Sequence, residues 1–321
     1  MKDQYGRTID YLRISVTDRC NLRCTYCMPE EGITCIPHEE ILRYEEMEQI
    51  CRIMAEMGLK HIKVTGGEPL VRKGISGFIR TLKEIPGIET VTLTTNGILL
   101  ESMAEELASA GIDGINVSLD TLDEEAFRAI TRGGDVKRVL AGLRKMHQYP
   151  QITLKINCVL GGKNWKKNAV SVAELAKNHP IHVRFIEHMP IGREPEKEAK
   201  REEQVRVVLE TVYGPSILCE KPMGFGPSVY YHFEGFVGKI GFISAVSHKF
   251  CSGCNRIRLT ADGRLRMCLQ SGNSTDLKAV LRGENPEGLE SVIQKSVYEK
   301  PREHHFDKES IETVSMSQIG G

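Results

Sequence analysis

From Ile9 to about residue 215, short apolar runs of strand length alternate with longer segments of helical period. A chain patterned this way builds repeated βα units around a parallel sheet, because each strand needs a helix to carry the backbone to the start of the next. Six strands are predicted: Tyr11 to Thr17, His61 to Thr65, Thr90 to Thr95, Gly114 to Leu119, Thr153 to Leu160 and His182 to Glu187. Between the first two, Ile41, Tyr44, Met47, Ile50, Cys51, Met54 and Met57 recur at spacings of three and four, and Gly58 closes the helix they predict. That stripe reads as core. The number of successive βα units points to an α/β partial barrel of the (β/α)6 TIM type, with working loops at the strand C-termini; a doubly wound sheet is the alternative. Near Tyr213-Gly214-Pro215 the pattern breaks, and Gly224 to Gly241 is rich in glycine, proline and aromatics. The expected division is therefore a barrel domain over residues 1–215 and a smaller α+β module over residues 216–321, with helical stretches at Thr275 to Leu281 and Glu287 to Tyr298. From Lys300 onward the chain is polar and expected to be poorly ordered, with the pair His304-His305 solvated.

Forty-three Lys plus Arg balance forty-three Asp plus Glu. No net field draws nucleic acid or an anionic membrane, so any anionic ligand must be bound by local charge. Met1 to Thr8 is charged and lacks the apolar stretch of a signal peptide, and no later run approaches a membrane span. The expected location is the cytoplasm. In that reducing compartment ten cysteines are read as metal ligands or chemistry wherever their spacing permits.

Cys20-Asn-Leu-Arg-Cys24-Thr-Tyr-Cys27 directly follows the first strand, which puts three thiols in one loop at a strand C-terminus. A 4Fe-4S cluster takes four thiolates. Three leave one iron open to chelation by the amine and carboxylate of an amino acid. A zinc site or incidental cysteines are the plain alternatives. Gly66-Gly67-Glu68-Pro69 follows the second strand, where a glycine pair permits close backbone approach. The C-x3-C-x2-C spacing, with this segment one βα unit later, resembles the radical S-adenosylmethionine superfamily. The resemblance implies a 4Fe-4S cluster on Cys20, Cys24 and Cys27, and S-adenosylmethionine contacted by Tyr26 near adenine, Gly67 near the methionine amine, Ser118 and Met189. One electron from the cluster would cleave the sulfonium to methionine and a 5′-deoxyadenosyl radical, which abstracts hydrogen from substrate.

Cys251-Ser-Gly-Cys254, then Cys268 after thirteen residues, forms a second set of three. A structural zinc site needs a fourth ligand, for which His248 is the candidate; a second cluster with an open iron suited to a substrate heteroatom is the other reading. Cys254-Asn-Arg256-Ile257-Arg258-Leu-Thr, the earlier Arg184-Phe-Ile-Glu-His-Met189-Pro and the terminal Gly320-Gly321 resemble the GTP 3′,8-cyclase family of molybdenum cofactor biosynthesis, and the likeness runs from Arg13 to Gly321. It implies a second 4Fe-4S cluster on Cys251, Cys254 and Cys268 whose open iron meets guanine. It also implies GTP contacts from Arg13, Lys63, Thr94, Lys155, Arg256, Ile257 and Arg258, and a catalytic role for the Gly320-Gly321 tail inside the active site. The resemblance implies an arginine at position 63 in many relatives, and Lys63 keeps the charge without the bidentate fork.

The implied reaction takes the C3′ hydrogen of GTP and closes C3′ on C8, giving 3′,8-cyclo-7,8-dihydroguanosine 5′-triphosphate for a downstream cyclic pyranopterin monophosphate synthase. The two clusters are expected to face each other across the barrel mouth. A homodimer and an electron donor of unspecified identity complete the implied partners. Competing classes are another radical enzyme with an auxiliary cluster, such as a peptide maturase, and a non-catalytic zinc or RNA-binding module. Cys35, Cys51, Cys158 and Cys219 have no ligand spacing and are read as structural.

Overall fold

Alternation within each strand decides how the sheet is covered. The computed structural model describes residues 1–191, 202–270, 272–283, 288–306 and 316–320. In β1 (Tyr11–Ser15), β2 (His61–Thr65), β3 (Thr90–Thr95), β4 (Gly114–Ser118), β5 (Thr153–Val159) and β6 (Ile181–Ile186), every second side chain is apolar and buried. Leu12, Ile14, Ile62, Val64, Val91, Leu93, Ile115, Val117, Leu154, Ile156, Val183 and Phe185 make up this face. Successive strand side chains point to opposite faces. Arg13, Lys63, Thr94, Asn116, Lys155, Asn157 and Arg184 therefore share the other face, and the register sets them beside one another: Arg13 with Lys63, Thr94 with Asn116, Asn116 with Lys155, Asn157 with Arg184.

The apolar face is covered by α1 (Tyr44–Glu56), α2 (Ile75–Lys83), α3 (Leu100–Ser109), α4 (Glu124–Thr131), α5 (Val136–Met146) and α6 (Trp165–Asn178), whose buried residues join the strands in one core. Asp123 and Asp135 cap α4 and α5, accepting from Ala126 N–H at 3.0 Å and Lys137 N–H at 2.9 Å. The helix expected from the Ile41 to Met57 stripe is α1, with Met47, Ile50, Cys51 and Met54 buried.

The chain continues through α7 (Glu202–Tyr213), β7 (Ser216–Leu218), β8 (Val229–Phe233), β9 (Ile240–Ile243), β10 (Arg256–Leu259), β11 (Arg264–Arg266), β12 (Ser274–Asp276), α8 (Leu277–Leu281), α9 (Leu289–Tyr298) and α10 (Met316–Ile319). All twelve strands form one sheet in the order β12-β11-β10-β1-β2-β3-β4-β5-β6-β9-β8-β7. β1 to β6 lie side by side in sequence order without the reversal that defines a doubly wound sheet, and β10 and β9 add to their two edges in parallel. The strands after residue 215 thus extend the barrel sheet on both sides.

Two local expectations are corrected. Residues 274–276 are a strand, pairing with β11, before α8 begins at Leu277. Lys300 and His304 are buried, at 2% and 6% exposure, because main-chain carbonyls and the second cysteine loop enclose them. His305 is exposed. Among the described residues, no helix is long and apolar enough to cross a membrane.

Candidate active site

Past Ser15 the chain turns through Thr17, Asp18 and Arg19 into the Cys20 loop. The segment after β2 is stitched to this approach: Gly67 N–H donates to the Thr17 carbonyl at 2.6 Å and Glu68 N–H to the Arg19 carbonyl at 2.8 Å. A Cβ on Gly67 would sit 2.4 Å from the Arg19 carbonyl oxygen, and one on Gly66 would sit 2.6 Å from that of Thr17. The glycine pair is required because two backbones touch there. The buried Glu68 carboxylate accepts from Leu70 N–H, Thr95 Oγ1 and Asn96 N–H at 3.0, 2.7 and 2.6 Å, and burial pushes it up to about 7. Asn96 then reaches from Nδ2 to Asn21 Oδ1 at 2.8 Å and to the Cys20 sulfur at 3.8 Å.

On the opposite side, Arg23 and Thr25 N–H groups donate to the Thr131 and Ile130 carbonyls, so α4 supports the loop. Tyr26 donates from its hydroxyl to Asp120 Oδ2 at 2.8 Å, while Asp120 Oδ1 accepts from Val159 N–H at 2.8 Å; burial raises this carboxyl to about 6. The Cys24 thiol is pushed far up by burial, and the charges that Cys27, Asp120 and Cys20 would carry push it further. Three thiols close enough to repel one another as thiolates, in one partly buried loop, are a donor set that a cationic iron cluster would satisfy.

The second set is built differently. Cys254 precedes β10 by two residues, and β10 runs parallel to β1 with Arg256 opposite Tyr11. The antiparallel register of β11, Arg266 opposite Arg258, returns the chain so that Cys268 comes back beside this same end. The His304 main-chain N–H donates toward the Cys251 sulfur. The two cysteine sets therefore lie at opposite ends of the strands, not across one mouth, because one follows its strand and the other precedes its own. With about 3.3 Å of rise per residue, β1 alone separates those ends by roughly 13 Å. Burial opposes ionisation of Cys254, but the Arg256 and Lys300 charges and hydrogen bonds from Arg256 outweigh it and bring the thiol down to about 7. A Cys254 thiolate held ready in this way suits iron ligation, whereas burial raises the Cys251 thiol. His248 is not with them; it pairs with Glu203 Oε1 at 3.3 Å and is largely exposed. Among the described residues, no three His, Cys, Asp or Glu side chains enclose a position for a single metal ion.

Between the ends runs a cavity of about 230 Å³. Cys251, Cys254 and Cys268 line one part of it and Met189, just past β6, another. Its charged walls are Arg13, Lys63, Arg184, Arg256, Arg258 and Lys300, and among the described residues lining it there is no Asp or Glu. Burial and mutual repulsion lower two of them in particular: Arg13 to about 10, with Arg256 and Arg184 contributing, and Lys63 well below the usual lysine range, with Arg184, Arg13 and Lys155 contributing. Arg184 Nε in that lining, and Thr94 Oγ1 on the same face of the sheet but outside the lining, are buried without a hydrogen-bond partner. Such a concentration of buried cationic side chains, with no carboxylate in the described lining, suits a polyanionic ligand.

Several expected contacts stand outside that lining. Lys155 faces the same side of the sheet but donates from Nζ to the Met223 carbonyl at 2.5 Å, and burial lowers it to about 8. Ser118 is in register with Asn157 at the end of β4. The Ile257 side chain lies on the opposite face of β10 from Arg256 and Arg258, fully buried in the core, so the contact expected of it would be made by its main chain. Gly320 sits among the strand ends, its carbonyl held by Arg258 Nη1 at 2.7 Å, whereas Gly321 lies outside the described residues. Arg184, Asn116, Asn157, Lys300 and His304 also line the cavity and were given no role from sequence. Polar residues at every second position of otherwise apolar parallel strands were the available signal for the first three.

Residues 14–176 match the Radical SAM superfamily, whose members hold a 4Fe-4S cluster and S-adenosylmethionine, and residues 181–306 match Molybdenum Cofactor Synthesis C. The chain is 45% identical over 325 residues to the GTP 3′,8-cyclase of Pelotomaculum thermopropionicum and 43% identical over 326 residues to that of Alkaliphilus metalliredigens, covering 100% of each chain in both comparisons. Its fold is similar to that of Streptococcus suis SuiB bound to S-adenosylmethionine, with a TM-score of 0.62 and 16% identity over 88% of this chain and 68% of the other. The chain thus belongs to the radical SAM superfamily and, within it, to the family of GTP 3′,8-cyclases.

Proposed function

We propose that this chain is a GTP 3′,8-cyclase that converts GTP to 3′,8-cyclo-7,8-dihydroguanosine 5′-triphosphate at the start of molybdenum cofactor biosynthesis. The observation that carries the reading is the cationic cavity lined by Cys251, Cys254 and Cys268, with no Asp or Glu among its described lining residues, in a chain alignable end to end with such cyclases. Cys20, Cys24 and Cys27 would hold a cluster with S-adenosylmethionine beside Tyr26, Gly67, Ser118 and Met189, and Cys251, Cys254 and Cys268 a second cluster. When bound, the first cluster and S-adenosylmethionine supply one-electron cleavage of a sulfonium and removal of a hydrogen atom from substrate.

The chain's own residues bind and orient. Arg13, Lys63, Lys155, Arg184, Arg256 and Arg258 neutralise the triphosphate, which in turn restores the ordinary charge preference of Arg13, Lys63, Lys155 and Arg258. Asn116, Asn157 and the idle Thr94 hydroxyl offer the neutral hydrogen bonds that ribose and base require. Gly320 brings side-chain-free backbone against the reacting nucleotide, and the catalytic role proposed for the tail includes Gly321, which lies outside the described residues. With both ends of the strands occupied, C3′ is presented toward one end and guanine toward the other, and the buried lumen keeps water from the substrate radical. Loss of the C3′ hydrogen to 5′-deoxyadenosine, bond formation from C3′ to C8, and uptake of one electron and one proton leave a product isomeric with GTP.

The electron comes from a reduced donor, the product passes to cyclic pyranopterin monophosphate synthase, and the enzyme works as a cytoplasmic homodimer. Reconstituted protein, assayed anaerobically with S-adenosylmethionine, dithionite and GTP, is expected to release 5′-deoxyadenosine together with a nucleotide of GTP's mass and a new retention time. Deoxyadenosine without nucleotide conversion would refute the substrate while keeping the radical chemistry.

A further inference from the structure

Arg7 lies in the turn before β1, where it takes part in none of the chemistry above, yet it is buried. All five donors of its guanidinium are spent. Nε donates to Asp3 Oδ2 at 2.6 Å, Nη1 to the carbonyls of Cys251 and Arg302 at 2.8 Å each, and Nη2 to those of Pro301 and Lys300 at 2.6 and 3.5 Å. Asp3 serves as the counter-ion, with its second oxygen taking the Tyr5 and Arg7 N–H groups at 3.0 and 2.9 Å. One side chain thus grips a cysteine of the second set and three consecutive residues near the end of the chain, 244 to 295 positions away.

The gripped segment carries the hold onward. Lys300, at 2% exposure, donates from Nζ to the carbonyl of Arg256 at 2.9 Å and to that of Met267. Arg256 lies two residues past Cys254, and Met267 immediately precedes Cys268. The Arg7 and Lys300 cations together therefore reach the backbone beside all three cysteines: Cys251 and Cys254 in one short turn, closed by the Cys254 N–H donating to the Cys251 carbonyl at 3.1 Å, and Cys268 in the segment that follows β11.

We propose that Arg7, with Asp3 as its counter-ion and Lys300 as its relay, is a positioning residue for the second cysteine set, fixing the spacing of Cys251, Cys254 and Cys268. This rests on the reading of that set as a second cluster. Ligands contributed by two separate segments need their backbones held before the cluster arrives, and a fork with five fixed donors does this where a lysine cannot.

The test uses the full chain, unsubstituted and as R7K, R7A and the milder D3N, reconstituted anaerobically. Iron and sulfide per chain are measured, with low-temperature electron paramagnetic resonance of the reduced protein before and after S-adenosylmethionine or GTP. The unsubstituted protein is expected to hold about eight irons, with one signal perturbed by each ligand. R7K and R7A should fall to about four irons and lose the GTP-sensitive signal. They should keep the S-adenosylmethionine-sensitive one and GTP-independent cofactor cleavage within about twofold. D3N should lose part of the same signal alone. Full iron and an unchanged GTP-sensitive signal in R7K and R7A would overturn the proposal. Equal loss of both signals would also overturn it, making Arg7 a general anchor of the fold. About four irons in the unsubstituted protein would remove the second cluster itself, and the proposal with it, an outcome told apart because no substitution is involved.

Discussion

Arg258 holds the Gly320 carbonyl at 2.7 Å, and the glycine occupies a slot that admits no side chain: a Cβ there would lie 2.8 Å from both Ser15 Cβ and Thr65 Oγ1. Its φ of +82° is also one that L side chains rarely adopt. G320A should therefore leave iron content and S-adenosylmethionine binding intact while lowering product formation by about a hundredfold, the scale of a 1 Å misplacement near reacting atoms. Mass spectrometry of the nucleotide checks it, and turnover within twofold of the unsubstituted enzyme would remove the tail from catalysis.

Gly67 makes a second steric prediction. The G67A methyl would collide with the Arg19 and Asp18 carbonyls, an overpacking of about 1–3 kcal/mol placed directly on the approach to Cys20. Iron should fall by about half and 5′-deoxyadenosine release by more than about tenfold, while the spectrum of the second cluster persists. Retention of both would mean that the loop shifts freely.

Lys155 predicts a pH dependence. Burial, with Arg184 nearby, lowers its folded value to about 8, so in the free enzyme its charge is present below that pH and lost above it. KM for GTP should rise at least about threefold between pH 7.5 and 9 with little change in kcat, and the rise should be absent in K155M. A KM as pH-sensitive in K155M as in the unsubstituted enzyme would assign the titration elsewhere.

Glu46 predicts acid sensitivity of the fold. Its carboxylate accepts from Arg43 N–H at 2.7 Å, closing the start of α1, and from Arg282 Nε and Nη2 at 2.7 and 3.0 Å, docking the end of α8. The Arg282 hydrogen bonds are the main cause that brings it down to about 2. A carboxyl lowered on folding stabilises fully above its unfolded value near 4.3 and loses that contribution as pH falls toward 2. Arg282 is 35% exposed, so after solvent screening about 1 kcal/mol is expected. Denaturant melts of E46Q should show that deficit at pH 7 and a shrinking one below pH 4. A gap constant with pH would point to packing in place of charge.

Strand positions were legible because buried parallel strands are short, apolar and bounded by polar turns; β2 and β3 run over the same residues as expected, and the other four differ at their ends by one or two. The first cysteine loop was legible for a related reason: its three ligands fall within eight consecutive residues. Lys300 and His304 were not, since a charged, polar stretch reads as solvated, and the partners that bury it are main-chain carbonyls, which leave no trace in a residue pattern.

Local periodicity and ligand spacing are set by interactions between near neighbours, so the sequence by itself determined the βα repeat, both cysteine sets and the family they resemble. Which residues meet across the lumen was decided by the tertiary structure. Strand register turns every second side chain of β1 to β6 into one cationic surface, and β10 joins β1 across 245 positions, taking Cys254 to the far end from Cys20. The same parity that brings Arg256 and Arg258 to the cavity puts Ile257 in the core. Long-range pairing carries that information because its free energy comes from burying surfaces that no short window of sequence contains.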